Sequence, residues 1–212
     1  AVDMTYNAFD YADRDMNPVL ILADGVIGTM MEPVELPEMK SEEEVAAIKA
    51  GKDKWACIGH KLDYANRSWI QPGQWDTKKM QQWNEDAAAM YQTWVPESEV
   101  YMVEDAEVVI ASYGISARIA KSAVDLLRAE GKKVGLIRAI TVSPFPYEAF
   151  DKINYDICKG VLDVEMSIPA QFVADVDRGV HRRAAIDTCL CSGGNIMSRE
   201  AVIEAVNKML EK

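Results

Sequence analysis

The chain has 212 residues, of which 34 are acidic and 23 basic, giving a formal net charge of -11. That balance excludes the basic surface that nucleic-acid phosphates demand, and no apolar run approaches the ~20 residues needed to span a bilayer. No basic segment followed by an apolar stretch opens the chain, so a cytoplasmic protein with no nucleic-acid or membrane partner is expected. Hydrophobic residues make up 49% of the composition, enough to bury a core, so an ordered protein is the expectation.

In chain order, Tyr6 to Asp13 reads as the end of a helix and Pro18 to Ala23 as an apolar strand, followed by a turn at Asp24-Gly25. Ala1 begins inside a helical pattern without an N-cap, so residues 1–35 are expected to be half of an α/β layer from a cut chain. Residues 36–99 have another texture and read as a connector. All five tryptophans, Trp55, Trp69, Trp75, Trp83 and Trp94, fall there, while Val, Leu and Ile are sparse. Ser41 is placed to cap a short helix running to Ala50, Pro72-Gly73 marks a turn, and Thr77 to Tyr91 reads as a second helix. The tryptophans suit anchors that pin a connector to neighbouring surfaces, or the buried centre of a partner interface.

From Glu104 to Ile140 the chain writes a complete βαβ unit. Val108 to Ala111 is a continuous apolar run, as in a strand covered on both faces. Gly114 turns the chain, and Ile119, Ala120, Ala123, Val124 and Leu127 place an apolar stripe on the following helix. Gly131 stands where a left-handed C-cap belongs, and Val134 to Ile140 forms the return strand. Further strands are expected at Gly160 to Met166 and Ala184 to Cys189. Helices are expected at Tyr147 to Lys152, Pro169 to Val180, and after a capping Ser198. The fold class is therefore α/β, an open, mostly parallel sheet with helices on both faces over residues 100–212.

Ligands of such sheets bind beyond the carboxyl ends of the strands, which directs attention to Tyr113, Gly114, Arg118, Arg138, Glu165 and Met166 as a candidate pocket or interface. The turn SYGISAR has one glycine where a dinucleotide fingerprint needs three, and no phosphate-binding Gly-Lys-Ser/Thr occurs. Arg138 interrupts an apolar strand, and Glu165 on a neighbouring strand is its expected partner, bracing the sheet or framing a pocket for an anionic group. Asp163 lies inside its strand, so the phosphate-accepting aspartate of a flavodoxin-like regulator is not read here. Cys57, Cys158, Cys189 and Cys191, with His60 and His181, show no metal-ligand spacing, and no metal site or disulfide framework is expected.

The stretches LADGVIGTMMEPVELPE from Leu22 and MVEDAEVVIASYGISARIAKSAVDLLRAEGKKVGLIRAITVSPFP from Met102 closely resemble the α subunit of 2-oxoacid:ferredoxin oxidoreductases, best the 2-ketoisovalerate (branched-chain) type. The resemblance covers nearly the whole chain. It implies that residues 1–35 are the C-terminal remnant of a thiamine-diphosphate pyrimidine-binding domain and that residues 100–212 form a domain like the C-terminal domain of transketolase. It also implies a complex with β and ferredoxin-like subunits. Such a complex uses thiamine diphosphate, magnesium and iron–sulfur clusters to convert a 2-oxoacid and coenzyme A to an acyl-CoA, with electrons passing to ferredoxin. The family's substrate-loop motif and cofactor-activating glutamate find no match here, so the fragment alone is expected to be inactive and to hold no cofactor. Ala170-Gln171 departs from the glycine-glutamine usual in relatives. Two other readings accompany this one: a non-catalytic assembly module, and an unrelated flavodoxin-like domain that binds a small molecule.

Overall fold

A computed structural model describes residues 1–15, 17–52 and 77–212, which fall in two compact units, 1–93 and 94–212. Trp55, Cys57, His60, Trp69, the Pro72-Gly73 turn and Trp75 lie outside the described residues.

In the first unit, helix α1 (Val2–Asp15) is followed by an extended segment, helix α2 (Gly25–Thr29), helix α3 (Glu42–Gly51) and helix α4 (Thr77–Tyr91). Ser41 caps α3 in a reciprocal arrangement: its hydroxyl accepts from the Glu44 N–H, and the Glu44 carboxylate accepts from the Ser41 N–H. Asp24 opens a helix rather than a turn, accepting from the N–H of Ile27 at 2.9 Å. The strand expected at Pro18 to Ala23 does not form. A strand exists only against a partner ladder, and the described residues of this unit contain none; Leu20 and Leu22 remain 84% and 77% exposed. Polar ties hold what packing does not: Lys40 pairs with Asp10 at 2.9 Å and Lys52 with Asp13 at 2.6 Å.

The second unit is a five-stranded sheet in the order β1-β3-β2-β4-β5. Its strands are β1 (Ser98–Tyr101), β2 (Val108–Tyr113), β3 (Val134–Ala139), β4 (Gly160–Glu165) and β5 (Ala185–Leu190). All neighbours pair in parallel except β1, which lies antiparallel on β3 at one edge. Side chains alternate along each strand, and each alternate set meets its own cover. Val109, Ala111, Ile137, Ala139 and Val161 face the 3₁₀ turn at Tyr147–Lys152 and helix α6 (Val173–Val180) through Phe150, Phe172, Val176 and Val180. Val108, Ile110, Leu136, Leu162 and Val164 face helices α5 (Gly114–Ala129) and α7 (Arg199–Leu210) through Ala120, Val124, Leu127, Val202 and Val206. This is the doubly covered sheet that the continuous apolar runs demand.

Gly131 takes φ +82 just beyond Glu130, the C-cap of α5, in the left-handed position that ends such helices. Helix α6 begins at Val173, not at Pro169, because the backbone N–H groups of Gln171 and Phe172 are claimed by a side chain of β4. Among the described residues no helix is long and apolar enough to cross a membrane.

Gly135, in the middle of β3, is a packing requirement. A Cβ there would stand 2.6 Å from the Met102 carbonyl oxygen and 2.8 Å from the Val103 Cα, both fixed backbone atoms. Gly135→Ala is expected to lower unfolding stability by about 1–3 kcal/mol, read from the urea midpoint at unchanged slope.

Candidate functional site

The carboxyl ends of β2, β3 and β4 bring Tyr113, Arg138, Glu165 and Met166 to one edge of the sheet, with Gly114 and Arg118 in the first turns of α5, but strand alternation divides the strand-end residues between two faces. Tyr113 and Glu165 share the face covered by α6, whereas Arg138 and Met166 share parity with Leu136 and Val164 on the face covered by α5 and α7. Gly114 adopts φ +56 and starts α5, converting strand to helix in a single residue.

The Arg138–Glu165 pair expected from sequence does not form. Strand β2 lies between β3 and β4, and the two side chains point to opposite faces. Arg138 instead meets Glu99, its direct register partner on the edge strand, at 3.3 Å. Glu99 also receives Lys121 of α5, whose ammonium lies over the Tyr101 ring. The hydrogen bond from Lys121, the largest influence, holds the Glu99 carboxyl below its ordinary range despite partial burial. This cluster braces the sheet edge against α5.

Glu165 is fully buried and acts as a backbone acceptor. Its carboxylate takes the N–H of Gln171 at 2.7 Å and of Phe172 at 3.1 Å, fastening the loop that leads into α6. Charge-assisted bonds of this kind are short and strong, and they satisfy a carboxylate that burial would otherwise penalise. Ala170 has no left-handed backbone angle, so an alanine sits in this loop without backbone strain. Phe172 is thereby held with its ring 4.8 Å from Tyr113 and 5.5 Å from Phe145. Burial, reinforced by the charges of Glu165 and Asp163, raises the Tyr113 hydroxyl above its ordinary range. The α6-side strand-end face is thus filled by aromatic rings.

On the other face, Arg118 of α5 lines an open groove of about 490 Å³ between α5 and α7, with Ser122, Met197 and Arg199. Ser112 of β2 is buried beside this face and donates to the Val164 carbonyl at 2.6 Å. The strand-end residues therefore make two arrangements, an aromatic cap around Glu165 and a charged cluster around Glu99.

Reading the sequence overlooked Glu99, Lys121, Phe172 and the proximity of Asp163 to Glu165. The last had a signal, since two acids at i and i+2 in the apolar strand GVLDVE must share a face. Burial raises the thiols of Cys158 and Cys189, which disfavours the thiolate needed of a nucleophile or metal ligand. Among the described residues no three His, Cys, Asp or Glu side chains gather to hold a metal ion, so they do not fit an iron–sulfur cluster or a magnesium site. The ring-filled face around Tyr113 and Phe172 does not fit thiamine diphosphate either. Glu165→Ala is expected to leave two backbone donors without their acceptor and to cost roughly 2–4 kcal/mol, measured by equilibrium unfolding.

Residues 106–202 match the family model of the pyruvate:ferredoxin oxidoreductase core domain II. Over 98% of its length the chain is 36% identical to the ketoisovalerate oxidoreductase subunit VorB of Methanothermobacter marburgensis, of which it covers 56%. It is 28% identical to the 2-oxoglutarate synthase subunit KorA of Methanocaldococcus jannaschii, over 96% of this chain and 59% of that one. The 2-oxoglutarate:ferredoxin oxidoreductase of Magnetococcus marinus, solved with 2-oxoglutarate, coenzyme A and succinyl-CoA bound, shares the fold with a TM-score of 0.55 at 20% identity, over 71% of this chain and 28% of that one. The chain spans just over half, 56%, of the curated VorB relatives it matches. The sequence match and the doubly covered sheet agree, and the chain belongs to the 2-oxoacid:ferredoxin oxidoreductase subunits.

Proposed function

We propose that this chain is part of the α subunit of a 2-ketoisovalerate:ferredoxin oxidoreductase. The enzyme would cleave carbon dioxide from a branched-chain 2-oxoacid, join the acyl group to coenzyme A through a thioester, and pass the released electron pair to ferredoxin. The observation that carries this reading is the 36% identity to a ketoisovalerate oxidoreductase subunit along 98% of the chain, against 28% to a 2-oxoglutarate synthase subunit. Thiamine diphosphate would supply the nucleophilic carbanion, with magnesium and iron–sulfur clusters elsewhere in a cytoplasmic complex with β and ferredoxin-like subunits.

Within that reading the described residues contribute architecture. Residues 1–35 would complete a pyrimidine-binding domain, residues 36–99 would connect, and residues 100–212 would be the transketolase-C-terminal-like framework. The SYGISAR turn, its aromatic cap closed by Tyr113 and Phe172, would face a neighbouring subunit. Arg138 is committed to Glu99, which supports a bracing role over an anion pocket. A specific observation thus favours the assembly reading for the strand ends, while the parent enzyme carries the chemistry.

The direct test is 2-oxoacid-dependent ferredoxin reduction by the assembled complex with coenzyme A. The expected result is a kcat/KM for 2-ketoisovalerate at least about tenfold above that for 2-oxoglutarate, since a pocket shaped for an apolar side chain leaves a second carboxylate unpaired. Equal or greater turnover of 2-oxoglutarate would contradict the substrate assignment. The chain alone is expected to show neither turnover nor tight thiamine diphosphate binding.

A further inference from the structure

Asp163 lies in the middle of β4, wholly buried, and neither of its carboxyl oxygens has a hydrogen-bond partner. The period of two places it on the same face as Glu165, whose carboxylate is already engaged with the N–H groups of Gln171 and Phe172. A buried carboxylate without a partner is costly, and a second carboxylate beside it makes the ionised form costlier.

The surroundings offer no relief. From β2, Ala111 is the register partner and Tyr113 stands further along; from β5, Thr188 is the register partner and the Cys189 thiol lies within electrostatic reach. From the α6 side the cover is Phe172 and Val176. No cation is among the influences on Asp163; burial first, then the adjoining Glu165 carboxyl, push its carboxyl up to about 8. As a neutral acid it gains what the ionised form lacks, because its own O–H can donate to Glu165.

We propose that Asp163 and Glu165 form a one-proton latch: Asp163 donates to Glu165, Glu165 grips the Gln171 and Phe172 amides, and loss of the proton releases residues 167–172. The released loop carries Phe172, so opening the latch uncovers Tyr113 and Phe145 at the carboxyl end of the sheet. The device depends only on the second unit and not on the substrate of the parent enzyme.

The sign follows from linkage. In the folded chain Asp163 keeps a proton that it loses in the ordinary carboxylate range once unfolded. Its contribution to stability is therefore complete at acid pH, declines as pH rises toward about 8, and is flat above that. Asp163→Asn retains a donor facing Glu165 and has no proton to lose.

The test combines the carboxyl ¹³C resonance of Asp163 in the unmodified chain with hydrogen exchange of the Gln171 and Phe172 amides, corrected for intrinsic rates. At neutral pH the resonance should be that of a protonated acid. Amide protection should fall at least about tenfold between about pH 6 and about pH 9.5, and Asp163→Asn should hold it level. A carboxylate resonance at neutral pH, or equal protection at both pH values in the unmodified chain, would overturn the latch. Both readings come from the native sequence and stand even if the variant fails to fold.

Discussion

A strand with neighbours on both sides and helices above and below has no face left for water, and this constraint organises the second unit. Every residue of β4 is buried, as are five of the six in β2. Each side chain there must be apolar, hydrogen-bonded or neutral. The apolar positions divide by parity between the α6 cover and the α5–α7 cover. The polar ones find partners within reach of their own face: Ser112 reaches the Val164 carbonyl, and Glu165 reaches two amides of the loop beyond its strand. Asp163 finds only another acid, and the proton is what makes its position tolerable.

The same constraint decides what the strand ends can do together. Arg138 and Glu165 both stand near the carboxyl edge, yet one intervening strand and opposite parity keep them apart. Arg138 is served from the edge strand β1, where Glu99 stands and is itself held by Lys121 of α5. The aromatic cap of Tyr113, Phe145 and Phe172 depends in turn on Glu165, because that carboxylate sets where the loop before α6 runs. At this edge the side chains therefore frame the sheet, Glu99 on one face and Glu165 on the other.

Much of this was legible in the residues. The βαβ unit, the 3₁₀ segment after Pro146 and the capped helices at Ser41 and Ser198 all lie where local chemistry puts them, because caps, turns and apolar periodicity are encoded within a few positions. Strand order was not written there, and an arginine's partner depends on it. Had β3 and β4 been neighbours, the pair drawn between Arg138 and Glu165 would still have needed matching parity. The missing strand at Pro18 to Ala23 failed for a related reason, since an apolar run specifies burial or pairing but cannot name the chain that supplies it. Its exposed leucines mark where local pattern and tertiary partner part company.

The claim that parity and strand order govern the charged groups of this edge is tested most directly by paired double-mutant cycles on Arg138, one with Glu99 and one with Glu165. The structure predicts a coupling of about 0.5–1 kcal/mol with Glu99 and none beyond about 0.3 kcal/mol with Glu165. A substantial coupling with Glu165 and none with Glu99 would contradict the arrangement of the sheet on which this account rests.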